Sequence, residues 1–261
     1  MKKRKIKWKN VFLFIIIIIF FISFIISLIN IIKWMINNNK TNKQIDNIKE
    51  IINKEEINNN VINNIVNNEI IYNPLSLINV NLDKLKEINN DTIGWIIVNG
   101  TNIDYPYVKT ENNNYYLNHS FDRSYNDAGW VFLDYRNKAD LSHKNNIIYA
   151  HSRLDKTMFG SLSKVFNKDW INNKDNHYIK ISNDFDNSLW QIFSTYIIET
   201  TNDYLQIDFN NDDEFINFSN MLIKRSSYNF NIKVNKEDQI LTLSTCYNDD
   251  KKIVVHAKRI K

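Results

Sequence analysis

The sequence predicts a mainly β protein with peripheral helices (α+β), carried on a single N-terminal transmembrane helix. Two observations support this prediction. Residues 11–32 form one long apolar run, and from Thr92 onward short apolar segments alternate with polar residues at a period of two. Such alternation is typical of half-buried strands. Several short strands at close spacing, with helices inserted between them, favour a closed or nearly closed β-barrel.

The N-terminal segment has the features of a membrane anchor. Residues 1–10 contain six basic side chains and no acidic one. The apolar run over residues 11–32 would extend about 33 Å as a helix, enough to cross a hydrocarbon core. It is too long for a cleavable signal peptide, and no small-residue cleavage site follows it. We therefore expect a single-pass protein of the cell membrane, with a cytoplasmic tail over residues 1–10 and an extracellular remainder.

Charge separates this anchor from the rest of the chain. Residues 1–35 hold seven of the 33 lysines and arginines and none of the 29 acidic residues. The remaining residues therefore carry 26 basic and 29 acidic side chains, a formal charge of −3. Because the overall charge of +4 comes from the anchor, it does not indicate nucleic-acid binding.

Residues 33–79 are predicted to form an extracellular stalk with one or two amphipathic helices. Their apolar residues recur at intervals of three or four, which is typical of a helix with one apolar face. These residues are Ile45, Ile48, Ile51, Ile52, Ile57, Val61, Ile62 and Ile65. Pro74 marks a break, and a short helix is expected over residues 82–88. Residues 80–261 then form one domain, long enough to bury a single core.

Eight strands are predicted within that domain. They span residues 94–98, 103–108, 130–134, 146–151, 177–182, 189–199, 239–244 and 252–260. Asn99-Gly100 is a strong signal for a hairpin turn between the first two strands.

Two further helices are predicted between the strands. One covers residues 212–225, with Asn211 or Asp212 as its N-cap and with Phe215, Phe218 and Leu222 along one face. A shorter one covers residues 158–166.

Cys246 is the only cysteine, and it lies at the end of a predicted strand. A lone extracellular thiol has no part in an internal disulfide, so it is either a small buried hydrophobe or a reactive group. A thiol nucleophile needs an imidazole nearby, and His151 also ends a predicted strand. The two strand ends would bring both side chains to one rim of a barrel. None of the five histidines has metal-ligand spacing, and we expect no metal or other cofactor.

Several motifs resemble those of the sortases, the transpeptidases that attach proteins to Gram-positive cell walls. Thr-Leu-Ser-Thr-Cys at 242–246 resembles the nucleophile strand of that family. Further matches, in the family's order, are Asp-Thr-Ile-Gly-Trp-Ile at 91–96, Ile-Asp-Tyr-Pro at 103–106, Asn-Tyr-Tyr-Leu at 114–117, Asn-Ile-Ile-Tyr-Ala-His at 146–151 and Met-Phe-Gly-Ser-Leu at 158–162. The helix over residues 212–225, placed before the cysteine strand, resembles the class B insertion. The resemblance covers residues 80–261 and implies an eight-stranded sortase-type barrel.

The resemblance also implies a reaction. Cys246 would be the nucleophile and His151 the general acid and base. The enzyme would cleave a C-terminal sorting signal after threonine, form a thioacyl-enzyme, and transfer the surface protein to an amine of the cell-wall precursor. The sorting peptide would lie in a groove formed by Asn113, Leu117, Thr200, Tyr204, Leu205 and Ser244.

One departure from the family pattern matters. The family places an arginine directly before an Ile/Val-Val-Val run in the last strand, and here that residue is Lys252. Arg259 is seven residues along the same strand, so its side chain points to the opposite face and does not replace it. Lys252 keeps the charge but lacks the planar guanidinium fork. It is either a catalytic point charge that stabilises the oxyanion or a solvated lysine at a strand edge.

Two other functions are consistent with the sequence. A cell-wall cysteine endopeptidase would pass the acyl group to water instead of an amine. A catalytically weakened barrel would bind sorting peptides without cleaving them, because Lys252 replaces the arginine.

Overall fold

The computed structural model describes residues 8–52, 54–57, 73–248 and 250–261, and for residues 54–57 only the backbone. Most of the predicted cytoplasmic tail, and the predicted helical positions Val61, Ile62 and Ile65, lie outside these ranges. The chain divides into two compact units, Met1–Gln44 and Ile45–Lys261.

One long helix, α1 (Trp8–Ile51), contains the whole apolar N-terminal run. By length and composition this helix is able to cross a membrane. It continues past residue 32 because no proline or glycine follows until Pro74. In its last turns the predicted spacing is confirmed, since Ile45 and Ile48 are buried in the main core cluster, as is Ile52 directly after the helix.

The part of the predicted stalk that follows α1 contains a strand. β1 (Lys54–Ile57) pairs antiparallel with β2 (Leu77–Val80), and Ile57 lies opposite Leu77. The prediction of a helix at Ile57 is therefore wrong. Its backbone is paired with a segment distant in sequence, which a local apolar pattern does not reveal. The short helix α2 (Asp83–Ile88) follows as predicted.

Eight strands close into a barrel, as the sequence predicts. They are β3 (Thr92–Val98), β4 (Asp104–Val108), β5 (Phe132–Leu133), β6 (Asn145–Tyr149), β7 (Tyr178–Asn183), β8 (Asn187–Glu199), β9 (Ile240–Cys246) and β10 (Lys251–Arg259). Their order around the barrel is β10-β8-β7-β3-β4-β5-β6-β9. The pairs β4/β5 and β6/β9 are parallel, and the other pairs are antiparallel.

The predicted hairpin turn is confirmed, because β3 and β4 pair antiparallel. Their connection runs from Asn99 to Ile103, with Gly100 at a φ of +71° that favours glycine. The predicted helix over residues 158–166 is a 3₁₀ helix, Gly160–Phe166. Met158 has a φ of +50°, which no right-handed helix accommodates. Further short helices are Tyr115–Leu117, α3 (Lys168–Asn172) and Lys174–Asn176.

Helix α4 (Asp212–Arg225) has the predicted bounds. The side chain of Asn211 caps it by accepting a hydrogen bond from the backbone N–H of Glu214. Its apolar face packs into a second core cluster with Phe193 and Tyr196 of β8 and Val254 of β10. The face consists of Phe215, Phe218 and Leu222, as predicted. Helix α4 therefore covers the outside of the barrel, next to the segment that connects β8 to α4.

Candidate active site

Cys246 and His151 emerge at the same rim of the barrel because their strands are parallel. β6 and β9 pair with Tyr149 opposite Ser244, so both chains leave the sheet in the same direction. Cys246 is the last residue of β9, and His151 lies two residues beyond β6. The hydroxyl of Thr245 donates a hydrogen bond of 2.7 Å to the carbonyl of Ala150. This bond holds the two strand ends together next to the reactive side chains.

The side chains predicted from the sequence surround one open cleft of about 340 Å³. Cys246, His151 and Lys252 line it together with the six predicted groove residues, Asn113, Leu117, Thr200, Tyr204, Leu205 and Ser244. The thiol of Cys246 is exposed to solvent. The alternative of an inert buried cysteine is therefore wrong.

Lys252 contacts the thiol directly. β10 pairs with β9 so that Lys252 lies opposite Cys246, and Nζ is 3.0 Å from Sγ. Lys252 does not lie at a strand edge, because β10 has β8 on one side and β9 on the other. Arg259 is at the far end of the strand, where it forms an ion pair with Asp186. The structure thus leaves Lys252 as the cation beside the sulfur.

The imidazole of His151 is oriented by a backbone carbonyl. Its Nε2 lies 2.7 Å from the carbonyl oxygen of Leu117, an acceptor, so Nε2 carries a proton. In the neutral ring Nδ1 is then the nitrogen with a free lone pair. Gly129 lies beside the same edge of the ring as Nε2, where an added Cβ would be 2.5 Å from the carbonyl oxygen of Tyr116 and 2.9 Å from Cδ2. A side chain at this position, which has a φ of +61°, would displace the imidazole.

A buried carboxylate that sequence reasoning missed supports one wall of the cleft. Asp134 is fully buried and accepts hydrogen bonds from the Tyr149 hydroxyl (2.9 Å) and the Asn113 amide (3.0 Å). Arg136 binds both of its oxygens and also donates to the carbonyl of Leu205. Burial alone would raise the pKa of Asp134, but the hydrogen bonds and charge of Arg136 and the bond from Tyr149 lower it.

The sequence pattern could have identified one residue of this wall. Tyr149 precedes His151 by two residues and shares the period-two relation that Ser244 has with Cys246. No comparable signal identifies Asp134 or Arg136.

The opposite wall is the segment between β8 and α4. The buried Tyr204 hydroxyl lies 3.0 Å from Ser244 Oγ, and burial raises the pKa of Tyr204. Asn145 of β6 donates to the carbonyls of Tyr204 and Gln206. The backbone N–H of Thr200 donates to the carbonyl of Asp250 in the turn before β10. These bonds attach the groove segment to β6, to β9 and to the turn before β10.

The cleft contains a thiol, an imidazole and an ammonium group, which together suit nucleophilic acyl transfer. In such chemistry a thiol attacks a carbonyl, an imidazole moves protons, and a cation stabilises negative charge. Within the described ranges no group of three or more His, Cys, Asp or Glu side chains is arranged to hold a metal ion.

Comparisons with known proteins point to one family. The profile described as "Sortase domain" matches residues 96–260. Sortase B of Staphylococcus aureus (strain NCTC 8325 / PS 47) is 34% identical over 188 residues, which cover 70% of this chain and 76% of that protein. Sortase B of Listeria monocytogenes serovar 1/2a is 35% identical over 167 residues, which cover 63% and 66%. A solved Staphylococcus aureus sortase B–substrate complex has a TM-score of 0.65 at 34% identity, over 69% of this chain and 84% of that one.

Proposed function

This chain belongs to the sortase family, as a class B cysteine transpeptidase, and from that premise we propose that Cys246 is its nucleophile and His151 its general acid and base. One observation carries the proposal: Cys246, His151 and Lys252 line a single cleft, with Lys252 Nζ 3.0 Å from the sulfur. A cleft that brings these three groups together does not favour the alternative of a catalytically weakened barrel that only binds sorting peptides.

The reaction divides into two acyl transfers. In the first, the Cys246 thiolate attacks the carbonyl carbon of threonine in a sorting signal, and His151 protonates the amine that leaves. The product is a thioester between threonine and Cys246. In the second, neutral His151 removes a proton from an amine of the cell-wall precursor, which attacks the thioester and releases Cys246. Both steps use the same imidazole. Its Nδ1, the nitrogen that is not bonded to the Leu117 carbonyl, gives up a proton in the first step and takes up a proton in the second.

Lys252 stabilises the oxyanion that forms in each step. Its ammonium is adjacent to the sulfur, so it is also adjacent to any carbonyl carbon bonded to that sulfur. It acts as a point charge, whereas an arginine would offer two parallel donors.

The sorting signal binds along the cleft. The Staphylococcus aureus relative was solved with a substrate, and the groove residues of this chain flank the thiol from both walls. Leu117 and Leu205 give apolar contact, while Asn113, Thr200 and Ser244 offer polar atoms to the peptide. The partners are surface proteins with a C-terminal sorting signal and, as acceptor, an amine of the cell-wall precursor.

The enzyme acts at the cell surface from a membrane anchor. Residues 11–32 of α1 cross the membrane, residues 1–10 stay in the cytoplasm, and residues 33–79 link the anchor to a catalytic domain over residues 80–261. The apolar composition of α1 and its basic flank support this arrangement.

The full chain in detergent micelles provides the test. We expect it to cleave peptides containing Asn-Pro-Gln-Thr-Asn or Pro-x-Thr-Gly motifs, and Cys246→Ala to reduce cleavage to background. His151→Ala should lose cleavage as well, whereas His143→Ala, a histidine outside the cleft, should retain it.

An added amine distinguishes a transpeptidase from an endopeptidase. With a peptide amine present, the product should shift from the free acid to the amide. Product that remains acid at every amine concentration would favour the endopeptidase. Cleavage that survives Cys246→Ala would contradict the proposed nucleophile.

A further inference from the structure

An amine lies beside the position where this enzyme would carry its acyl group. In the thioacyl-enzyme the carbonyl carbon is bonded to Cys246 Sγ, and Lys252 Nζ is 3.0 Å from that sulfur. The carbonyl carbon is one bond from that sulfur, so it lies within reach of Nζ, and reacting atoms about 3–3.5 Å apart are in near-attack range. The acceptor in the proposed reaction is itself a primary amine. Lys252 is therefore a chemically equivalent acceptor inside the enzyme.

We propose that Lys252 is a self-acylation site, which captures the acyl group from Cys246 when no external amine is bound. The inference rests on the proposed function, since it needs the thioacyl-enzyme. The lone pair of neutral Nζ attacks the thioester carbon, the C–N bond forms, and the C–S bond breaks. Cys246 leaves as the thiolate, and the proton lost from nitrogen passes to neutral His151 or to water. The product is an isopeptide bond between the sorting-signal threonine and Lys252.

The substitution of lysine for arginine makes this reaction possible. A guanidinium is not deprotonated in proteins and has no free lone pair, so an arginine beside the thioester is inert. Lysine supplies the same positive charge, but a fraction of it is neutral at any pH. The chain therefore has a competing acceptor at the position where the family places an arginine.

Proximity compensates for the small neutral fraction. Roughly 10⁻³ to 10⁻⁴ of an ordinary lysine is neutral at pH 7. Well-oriented intramolecular reactions reach effective molarities on the order of 10⁵ M. Even after multiplication by this neutral fraction, the effective molarity exceeds the millimolar concentration of a free amine.

The other groups near Lys252 determine how the reaction depends on pH. Among the described residues, the titratable groups that share the cleft with it are Cys246, His151, Tyr149 and Tyr204. Burial raises the pKa of both tyrosines, so neither phenol adds charge near neutral pH. Glu199 and Asp250 line a different hollow with Lys251. The rate of self-acylation should then rise with pH, because only a neutral amine has the lone pair that attacks the thioester.

The full chain in detergent micelles, incubated with an Asn-Pro-Gln-Thr-Asn peptide and no amine, tests this inference. Samples taken between about pH 6.5 and about pH 8.5, below the ordinary lysine pKa, are treated with neutral hydroxylamine. This reagent cleaves thioesters and leaves amides intact. Intact mass then separates the two adducts, and peptide mapping locates the amide. We expect a hydroxylamine-resistant adduct on Lys252 that increases with pH and decreases when a peptide amine is added.

Two variants locate the acceptor. Lys252→Arg should carry no resistant adduct, and Lys251→Arg, at the exposed neighbouring position, should carry as much as the unmodified chain. A resistant adduct on any other lysine would overturn the assignment. So would cleavage of the peptide with only a hydroxylamine-sensitive adduct, or with none, and in that case the proposed function would still hold. Absence of both cleavage and adduct would instead contradict the proposed function, and this inference with it.

Discussion

At the scale of single residues, the position of Lys252 is set by strand register. β10 lies between β8 and β9, and its register with β9 places Lys252 opposite Cys246. A one-residue slip would turn the lysine to the other face of the sheet. The sequence motif located the position, but only the pairing gives the 3.0 Å contact between Nζ and Sγ.

Removal of this charge should slow the chemical step. Loss of one oxyanion donor typically lowers kcat about 10²- to 10³-fold, and we expect a loss on that order for Lys252→Ala. Lys252→Arg should preserve or raise turnover, because it restores a donor fork. Steady-state kinetics with a sorting peptide measure both, and Lys251→Ala is the matched control. Unchanged turnover in Lys252→Ala would contradict the catalytic role.

A second histidine, His256 of β10, belongs to the core. It is fully buried between the hydroxyls of Tyr196 and Thr242, each 2.8 Å from a ring nitrogen. Thr242 already donates its proton to Asn145, so Nδ1 of His256 donates to Thr242 and Nε2 accepts from Tyr196. The ring is neutral in this network. Burial, together with the positive charge of Arg225, lowers the pKa of His256 to about 3.

This histidine should make the fold sensitive to acid. In the unfolded chain its pKa returns to about 6.5, so below that pH the unfolded state binds the additional proton. The stabilising effect of the neutral ring is complete above about pH 6.5 and is lost as the pH falls toward the folded-state value. At about 1.4 kcal/mol per pH unit, the loss by pH 5 is about 2 kcal/mol.

His256→Gln keeps an acceptor for Tyr196 but does not titrate. Its free energy of unfolding, from urea titrations in detergent, should fall about 2 kcal/mol less than that of the unmodified chain between about pH 7.5 and about pH 5. Equal losses in the two proteins would contradict this assignment.

At the scale of elements, strands and helices with a local signal were predictable, and their long-range partners were not. The sequence predicts all eight barrel strands and the bounds of α4, whose apolar face and Asn211 cap are local features. It does not predict β1 and β2, because each is stabilised by the other.

The same limit applies to the cleft. Asp134 and Arg136 join groups from four separate segments of the chain, and no short motif records that arrangement. The roles of the site residues stay predictions.

The segment between β8 and α4 is attached to the helix by an ion pair. Both guanidinium nitrogens of Arg225, in the last turn of α4, donate to the carboxylate of Asp203. Asp203 adjoins Tyr204 and lies between the groove residues Thr200 and Leu205. Hydrogen bonding to Arg225 lowers the pKa of Asp203, so the pair persists at neutral pH. The helix therefore holds one wall of the cleft in position.

Loss of this pair should weaken peptide binding more than it weakens the fold. The pair is partly exposed, with side-chain exposures of 26% and 43%, and such pairs contribute about 1 kcal/mol or less. We expect Asp203→Asn to raise KM about two- to fivefold with little change in Tm. Lys236→Met, which removes a more exposed ion pair to Asp212 at the start of α4, is the control. Equal KM values for Asp203→Asn and the unmodified chain would contradict a positioning role.

At the scale of the whole molecule, charge and hydropathy divide the chain along its length. The seven basic residues within 1–35 flank the apolar segment, while the rest of the chain is slightly acidic. By length and composition α1 is able to span a membrane. By the positive-inside rule, a basic flank favours a cytoplasmic N-terminus, with everything after the span outside the cell. In the proposed function the Cys246 thiol would then face the compartment that contains both the surface proteins and the wall precursor.

The single cysteine makes this topology directly measurable. Cys246 is the only thiol of the chain and is exposed, so a membrane-impermeant maleimide should label it in intact Gram-positive cells, whose wall admits small reagents. A control chain that combines Cys246→Ala with Lys5→Cys should be labelled only after the cells are permeabilised. The opposite pattern, with Cys246 protected until permeabilisation, would place the catalytic domain in the cytoplasm. Cys246 is labelled before permeabilisation if the domain lies outside the cell, and only afterwards if it lies inside. Either result therefore determines the topology.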